Sequence, residues 1–234
     1  FTQLKVDNTL KALGQIAEQN RKNFEGELVA LTGSCGKTTT KEMLASIFSL
    51  SKNTLATDGN FNNEIGVPLT LLRLSSEHEL GIIEMGAAAI GDIEYLCEFT
   101  KPSIALITNA QAAHIEGFGS IEGVAQGKGE IYSSLGKAGV AVINADDNFA
   151  ELWLDLASHC KRIIRFSIAS SDADVWAEEI QSSAMASSFT LCVSGDKHRV
   201  NLHVPGVHMV ANALAAASVA IAADIPLAQI AQGL

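Results

Sequence analysis

The sequence predicts an α/β fold with a mostly parallel sheet flanked by helices and a small antiparallel β layer near the C-terminal third. Three observations carry this prediction. A predicted strand at residues 27–31, apolar from residue 28 onward, passes through a small-residue turn into helix formers, which is typical of a strand, a loop and a helix. Apolar runs and helix-like segments then alternate as far as residue 166, as in a parallel sheet. Three segments between residues 175 and 204 instead alternate polar and apolar residues, as antiparallel strands do.

The first turn of this unit has the composition of a phosphate-binding loop (P-loop). Gly33 and Gly36 let the main chain aim several N–H groups at one anion, and the helix that begins near Lys37 adds its unpaired first-turn amides. Lys37 supplies a cation and Thr38 a hydroxyl for Mg²⁺. Leu31 stands where the pattern G-x-x-x-x-G-K-[ST] begins with glycine, so an ordinary glycine-rich turn is the alternative. The flanking strand and amphipathic helix favour an ATP site made of Gly33, Ser34, Cys35, Gly36, Lys37, Thr38 and Thr39.

The other elements follow from periodicity and turn residues. Helices are predicted at residues 7–21, 69–74, 92–99, 120–134, 150–158 and 210–222, with another from Pro226. Strands are predicted at residues 53–57, 80–85, 103–108, 139–144 and 162–166, and antiparallel strands at 175–180, 188–193 and 199–204. A turn at residues 194–197 joins the last two strands.

Polar residues follow three of the predicted strands, at the sheet edge where such folds bind ligands. Asn62 and Asn63 lie in a long polar loop, for which a plain turn is the alternative. Glu84 ends its strand and is equally consistent with a metal ligand and with a solvated strand end. His114 follows another strand, where a metal or phosphate contact competes with a structural or solvated role.

Lys128 lies between two glycines in a predicted helix. Glycine weakens a helix by roughly 1 kcal/mol. The local pattern alone therefore favours a frayed, exposed helix with a solvated lysine.

Composition limits the classes of function. With 234 residues and 47% hydrophobic residues the chain has ample material for a core, and a net charge of −10 argues against nucleic acid as a partner. No apolar run has the length of a membrane span, and no signal-peptide pattern is present. The chain reads as an excerpt from a longer cytoplasmic protein, expected to be monomeric. Its irregularly spaced cysteines indicate reduced thiols rather than a zinc site: Cys35, Cys97, Cys160 and Cys192.

Six segments, in this order, resemble the Mur ligases of peptidoglycan synthesis. They are residues 32–38 (TGSCGKT), 59–68 (GNFNNEIGVP), 84–86 (EMG), 113–120 (AHIEGFGS), 128–131 (KGEI) and the stretch from Pro205-Gly206-Val207-His208 to 212–216 (NALAA). The resemblance covers residues 25–234 and identifies them as a central ATP-binding domain. It implies that residues 1–24 are a linker helix and the end of an amino-terminal domain that binds a UDP-sugar, and that a carboxyl-terminal domain is absent from the chain.

The resemblance also implies a reaction and roles for the residues. The reaction is ATP-dependent amide bond formation between UDP-N-acetylmuramoyl-tripeptide and D-alanyl-D-alanine through an acyl phosphate. In it, Lys37 and the loop amides stabilise the phosphates, Thr38 and Glu84 hold one Mg²⁺, and His114 with a carbamylated Lys128 serves a second. Asn62 and Asn63 lie beside the peptide and the γ-phosphate, and Asn212 near the adenine. Met209 departs from the family, which often has asparagine after the histidine at 208.

The rival functions fall into two classes. One is a different ligase, either another Mur ligase or a folylpolyglutamate synthase-like enzyme. The other is a P-loop ATPase in which hydrolysis drives motion. The segments at residues 59–63 and 114–120 favour the muropeptide ligase. A degenerate domain without catalysis is disfavoured by the presence of Lys37, Thr38, Glu84, His114 and Lys128. The chain alone is expected to be inactive.

Overall fold

The computed structural model describes residue 3, residues 5–112 and residues 115–234. The strands are β1 (Glu27–Thr32), β2 (Thr54–Ala56), β3 (Leu80–Glu84), β4 (Ile104–Ile107), β5 (Val140–Asn144), β6 (Arg162–Ser167), β7 (Val175–Ser182), β8 (Ser187–Val193) and β9 (Asp196–Leu202). The helices are α1 (Thr9–Lys22), α2 (Lys37–Ser49), α3 (Gly66–Leu71), α4 (Asp92–Thr100), α5 (Ile115–Phe118), α6 (Ile121–Ser133), α7 (Ala150–Leu156), α8 (Val207–Ala222) and α9 (Leu227–Gly233).

The strands form one nine-stranded sheet in the order β2-β3-β1-β4-β5-β6-β7-β8-β9. Neighbouring strands from β2 to β7 in this order are parallel. Strand β8 pairs antiparallel with β7 on one side and with β9 on the other. Leu31 near the end of β1 pairs with Glu84 on one side and Leu106 on the other. The carboxyl ends of β1, β3 and β4 therefore meet at one edge of the sheet, where such folds bind ligands.

Both faces of the sheet are covered by helices, and each face has its own apolar core. One core joins α2, α8 and α9 to the sheet through Leu44, Phe48, Leu214 and Ile230. The other lies under α1, α3, α4, α6 and α7 and includes the fully buried Trp153. Because both faces of the sheet are buried, the central strands carry continuous apolar runs rather than alternating polar and apolar residues, with polar residues only at the ends of β1 and β3.

The predicted fold class is confirmed, with differences at particular places. The predicted antiparallel layer is attached to the parallel sheet as its continuation, with β8 and β9 as the last two strands in the order. Strand β9 begins at Asp196, earlier than predicted, because Ser194 and Gly195 alone make the turn, with φ of 52° and 92°. Two consecutive positive φ values characterise the two-residue hairpin turn whose twist matches that of the strands.

Helix α3 begins at Gly66, three residues before the predicted start. The Asn63 side-chain oxygen accepts hydrogen bonds from the N–H groups of Ile65 (3.2 Å) and Gly66 (2.9 Å). Pro68 is tolerated in the first turn, where its missing N–H has no intrahelical partner to lose. Helix α8 likewise begins at Val207 rather than at residue 210.

Helix α1 packs on the core that lies under α3, α4, α6 and α7. Ala17 is fully buried, and Asn20 donates to the carbonyls of Leu71 (2.8 Å) and Leu74 (3.0 Å). Arg21 donates to the carbonyl of Thr100 at 2.9 Å. These contacts fix α1 against α3 and α4, while the division of the chain at residue 24 stays a prediction.

Candidate active site

The predicted phosphate-binding loop occupies residues 33–36, between β1 and α2. Gly36 is the residue before the helix, has a φ of 82°, and leaves the helix without a side-chain cap. A Cβ atom at this position would collide with the side chain of Asn212. The first-turn amides of the 13-residue α2 are consequently available for an anion.

The loop is held in shape by the segment that follows β4. The N–H of Cys35 donates to the side-chain oxygen of Asn109 (3.0 Å), whose amide group donates back to the carbonyl of Cys35 (3.0 Å). Thr108 donates to the same carbonyl at 2.6 Å, and the N–H of Ser34 donates to the carbonyl of Asn109 at 3.0 Å. Sequence reasoning missed both supporting residues, because a Thr-Asn pair after a strand is a weak signal without its partner. The amides of Ser34 and Cys35 serve the loop's own shape, so the α2 amides remain as the anion donors.

Lys37 lies over the loop that it follows. Its ammonium donates to the carbonyl of Gly33 at 2.7 Å and contacts the carbonyl of Ser34 at 3.5 Å. A phosphate bound at the α2 amides would lie within the reach of this mobile cation. Thr38 is exposed at the start of α2, where its hydroxyl is accessible to a metal ion.

A cavity of about 620 Å³ opens beside the loop and brings together six of the residues proposed from the sequence. Lys37, Asn62, Asn63 and Lys128 line it, with Gly33 and Ser34 of the loop and with Glu64, Gly86, Ala87, Ala88, Asp92, Tyr95 and Leu96. Residues from four separate chain segments thus surround one space. The lining carries two lysines and two carboxylates, and one of these, Asp92, is occupied by the N–H groups of Ala88 and Ala89. Lys37 and Lys128 at the end of the cavity next to the loop suit the negatively charged part of a ligand.

Glu84 lies behind the wall of this cavity and is 1% exposed. One of its carboxylate oxygens accepts a hydrogen bond from the side-chain amide of Asn62 at 2.9 Å. The other is buried and has no hydrogen-bond partner among the residues that the structure describes. An orphaned carboxylate oxygen at this sheet edge fits Mg²⁺, which takes oxygen ligands. The prediction of a solvated strand end is wrong, because β3 is buried along its whole length.

No group of three or more His, Cys, Asp or Glu side chains with metal-binding geometry occurs within residues 5–112 and 115–234. A metal at Glu84 would therefore need oxygens from hydroxyls, phosphates or water besides the carboxylate. His114, the other proposed metal ligand, lies outside the described residues.

Lys128 is 2% exposed, which overturns the local expectation of a solvated lysine on a frayed helix. Burial, and next the nearby charge of Lys37, lower the pKa of Lys128 from 10.5 to about 8. Its ammonium lies 5.7 Å from the ring centre of Phe118. The lowered pKa favours the neutral amine, which is the form that can react with CO₂.

The glycines on either side of Lys128 provide space for neighbouring side chains. A Cβ atom at Gly127 would meet the ring of Phe118, and one at Gly129 would meet Leu156. Both glycines are buried. The helix penalty of the Gly-Lys-Gly sequence is therefore offset by close packing, a reason that the sequence does not display.

Glu130 on the same helix holds the wall of the cavity and was not singled out from the sequence. Its carboxylate accepts hydrogen bonds from the N–H of Gly91 (2.7 Å) and the N–H of Glu94 (3.1 Å), at the start of α4. Asp92 accepts from Ala88 (2.8 Å) and Ala89 (2.9 Å) in the preceding loop. The segment at residues 86–91 is thus tied to the helix that carries Lys128.

A second cavity, of about 440 Å³, lies on the other side of the phosphate-binding loop. Its lining includes Cys35, Gly36, Thr39, Asn212 and Met209, and also Asp146 and Asp147. Asn212 is 8% exposed and its side-chain oxygen lies against Gly36. The loop therefore separates the cavity that holds Lys37 and Lys128 from a second pocket without lysine or arginine among the described residues that line it, an arrangement with room for a nucleoside on one side and an acceptor of phosphate on the other.

The parallel sheet, the phosphate-binding loop at its edge and the paired cavities define an α/β nucleotide-binding domain. The family model described as Mur ligase middle domain matches residues 31–220. This chain belongs to the Mur ligase family, and the predicted resemblance is confirmed.

Two of the matching curated relatives bear the same name. The chain is 44% identical over 232 residues to the UDP-N-acetylmuramoyl-tripeptide–D-alanyl-D-alanine ligase of Escherichia coli, covering 99% of this chain and 51% of that protein. It is 42% identical over 237 residues to the Haemophilus influenzae ligase of the same name, covering 99% and 50%. The chain thus spans about half the length of the curated relatives it matches.

Two solved structures extend the comparison to the fold. A crystal structure of MurF from Acinetobacter baumannii superposes with a TM-score of 0.95 at 39% identity, over 99% of this chain and 51% of that one. A MurF ligase from Thermotoga maritima in complex with ADP gives a TM-score of 0.83 at 25% identity, over 97% and 53%. Among the described residues of the present chain, no helix has the length and apolarity needed to cross a membrane.

Proposed function

We propose that this chain is the ATP-binding catalytic domain of a ligase that joins D-alanyl-D-alanine to UDP-N-acetylmuramoyl-tripeptide. The observation that carries the proposal is the cavity lined by Lys37, Asn62, Asn63 and Lys128 beside the phosphate-binding loop. A carboxylate and a triphosphate repel each other, so the site that joins them must supply cations and oriented amides. The names of the relatives supply the substrates.

The reaction has two steps. An oxygen of the tripeptide carboxylate attacks the γ-phosphorus of ATP and the bond to ADP breaks, which gives an acyl phosphate. The amine of D-alanyl-D-alanine then attacks the acyl carbon, inorganic phosphate leaves, and the amine proton passes to solvent. Lys37 and the α2 amides stabilise the charge on the phosphate oxygens in the first step. Asn62 and Asn63 orient the carboxylate substrate and the γ-phosphate, and Asn212 borders the adenine.

Mg²⁺ belongs to the proposal as well, with two sites. Glu84 and Thr38 would hold one ion, and His114 with Lys128 as its carbamate would hold the other. When bound, the metal neutralises phosphate charge. With a pKa of about 8, Lys128 is neutral in about a tenth of the molecules at pH 7, so CO₂ can add to its amine. A carbamate then turns a buried cation into an oxygen-bearing anion.

The remaining parts of the proposal concern the whole protein. Residues 1–24 would be the linker helix and the end of the UDP-sugar-binding domain, and residues 25–234 the central ATP-binding domain. The whole protein would act as a cytoplasmic monomer, and the binding of D-alanyl-D-alanine would need the carboxyl-terminal domain. We therefore expect this chain alone to be inactive.

The test uses the full-length protein with UDP-N-acetylmuramoyl-tripeptide labelled with ¹⁸O in its terminal carboxylate. An acyl phosphate pathway transfers one labelled oxygen to inorganic phosphate, and product forms only when D-alanyl-D-alanine is present. Unlabelled phosphate, or ADP release that needs no acceptor amine, would refute the proposal in favour of a simple ATPase. Phosphate release triggered by a folate substrate instead would favour the folylpolyglutamate-type ligase.

A matched pair of variants tests the site itself. Lys37→Met removes the ammonium of Lys37 from the cavity and should abolish ¹⁸O transfer. Lys137→Met removes a lysine that is exposed and should leave the transfer unchanged. Equal activity in the two variants would refute the role of Lys37.

A further inference from the structure

Lys41 is a buried lysine that the proposed reaction does not use. It lies on α2, one helical turn after Lys37, and is 1% exposed. Its ammonium donates to the carbonyl of Thr57 at 2.7 Å and lies 2.9 Å from a carboxylate oxygen of Glu42. The Glu42 side chain is 67% exposed, so water screens that ion pair. The contact with Thr57 is the buried one, and an uncharged residue would fill the space without the desolvation cost of an ammonium.

Thr57 lies between the end of β2 at Ala56 and the asparagine-rich loop, residues 58–65. Its N–H donates to the carbonyl of Ile82 at 2.9 Å. Its hydroxyl accepts a hydrogen bond from the N–H of Glu84 at 3.0 Å. Thr57 therefore connects the base of the loop to the backbone of Glu84, whose carboxylate is proposed to hold Mg²⁺.

The far side of the asparagine-rich loop returns to the same strand. The Asn62 side chain donates to the Glu84 carboxylate, and the Asn62 carbonyl accepts from the N–H of Gly86 at 2.7 Å. Lys41, Thr57, Glu84 and Asn62 therefore form a continuous set of contacts from the phosphate-loop helix to the cavity. Strand β2 is three residues long and lies at the edge of the sheet, paired only with β3 within the described residues. The hydrogen bond from the Lys41 ammonium to the Thr57 carbonyl links the carboxyl end of β2 to α2.

We propose that Lys41 is a positioning residue that ties the asparagine-rich loop and Glu84 to the helix bearing the phosphate-binding loop. The proposal rests on the proposed function and adds a residue to it. The link sets where the carboxylate substrate and the metal ligand lie relative to the bound phosphates. It acts through Thr57 and touches neither substrate nor metal.

The experiment compares Lys41→Met with Glu42→Gln in the full-length protein. Lys41→Met keeps the length of the side chain and removes its donors, leaving the Thr57 carbonyl buried without its partner. Glu42→Gln removes only the exposed ion pair. The readouts are the KM for UDP-N-acetylmuramoyl-tripeptide, the Mg²⁺ concentration for half-maximal rate, the Kd for ADP, and hydrogen exchange of residues 57–66 and 33–40.

We expect Lys41→Met to raise the tripeptide KM and the Mg²⁺ requirement by about tenfold, the size expected when a buried acceptor loses its donor. The Kd for ADP should change by less than about threefold, because the α2 amides and Lys37 are untouched. Exchange should increase in residues 57–66 and stay unchanged in residues 33–40. Glu42→Gln should resemble the wild type in all four readouts.

Three results would overturn the proposal: an unchanged tripeptide KM in Lys41→Met, an equal loss of ADP and tripeptide binding, or the same defect in Glu42→Gln. If Lys41→Met does not fold, Lys41→Gln, which keeps an N–H donor on a shorter side chain, is measured against the same criteria. If the wild type itself does not ligate D-alanyl-D-alanine, the proposed function fails, and the exchange data alone decide the role of Lys41.

Discussion

Replacing Lys128 by methionine should change how the stability of the chain depends on pH. The Lys128 side chain is almost completely buried, and its pKa lies at about 8 instead of 10.5. Below pH 8 the folded protein must keep an ammonium buried and close to the charge of Lys37. Each pKa unit corresponds to 1.36 kcal/mol, so the penalty below pH 8 is about 3 kcal/mol.

The sign follows from proton binding. Between pH 8 and 10.5 the unfolded chain holds a proton on Lys128 that the folded chain has released, so the stability of the wild type rises with pH in this window. Lys128→Met has no proton to release. Between pH 7 and pH 10 the free energy of unfolding of the wild type should therefore gain about 2–3 kcal/mol relative to the variant.

The assay is reversible urea unfolding of both proteins at several pH values in CO₂-free buffer, because a carbamate on Lys128 would replace the titrating amine. Taking the difference between the two proteins cancels the titration of all other groups. Lys137→Met, which removes an exposed lysine, is the control and should track the wild type at every pH. Unfolding free energies of wild type and Lys128→Met that run parallel from pH 7 to pH 10 would refute the argument from burial.

Three other substitutions test the site. Gly36→Ala should lower the unfolding free energy by about 1–2 kcal/mol and weaken ADP binding at least about tenfold, because Gly36 has a positive φ and an added Cβ would clash with Asn212. Gly136→Ala is the control: its Cβ would lie in open space, so the unfolding free energy and the Kd for ADP should both change little. Glu130→Gln should cost about 1 kcal/mol and speed amide exchange at the start of α4, whereas Glu98→Gln, exposed further along α4, should cost less than about 0.5 kcal/mol. Cys35→Ser should leave the Kd for ADP within about threefold, because the backbone of residue 35, not its exposed thiol, holds the loop; a larger change would assign a role to the thiol.

The strands and the phosphate-binding loop could be predicted because their causes are local in sequence. Residues 28–31 are all apolar, as a strand buried on both faces requires, and β1 ends at Thr32, one residue beyond the predicted end. A helix was predicted over residues 120–134, and α6 starts right after Ser120, whose hydroxyl caps it by accepting from the N–H of Gly123 at 3.1 Å. A cap or a buried strand is encoded within a few neighbouring residues.

Lys128 shows where local reasoning fails. The Gly-Lys-Gly sequence indicates a weak, exposed helix, whereas the helix is buried and the glycines accommodate Phe118 and Leu156. Packing with distant residues outweighs a local penalty of roughly 1 kcal/mol per glycine. The family resemblance proposed this lysine as a site residue because it draws on whole-protein patterns rather than on helix propensity, and the structure places Lys128 in the lining of the cavity beside Lys37.

The supporting residues could not be predicted at all. Asn109 bonds to Cys35 across 74 positions, Glu130 to Gly91 across 39, and Lys41 to Thr57 across 16. Asparagine, glutamate and lysine occur throughout ordinary surfaces and turns, so none of them stands out in the sequence.

By itself the sequence determined the class of the fold, the position of the phosphate-binding loop and the polar residues at the ends of the strands, because burial and backbone geometry leave local patterns. Only the tertiary structure decided which of these residues share a cavity and which charges are buried. Parallel strands bring together residues that lie far apart in the chain, and the pKa of Lys128, the orphaned oxygen of Glu84 and the buried contact of Lys41 all arise from that convergence.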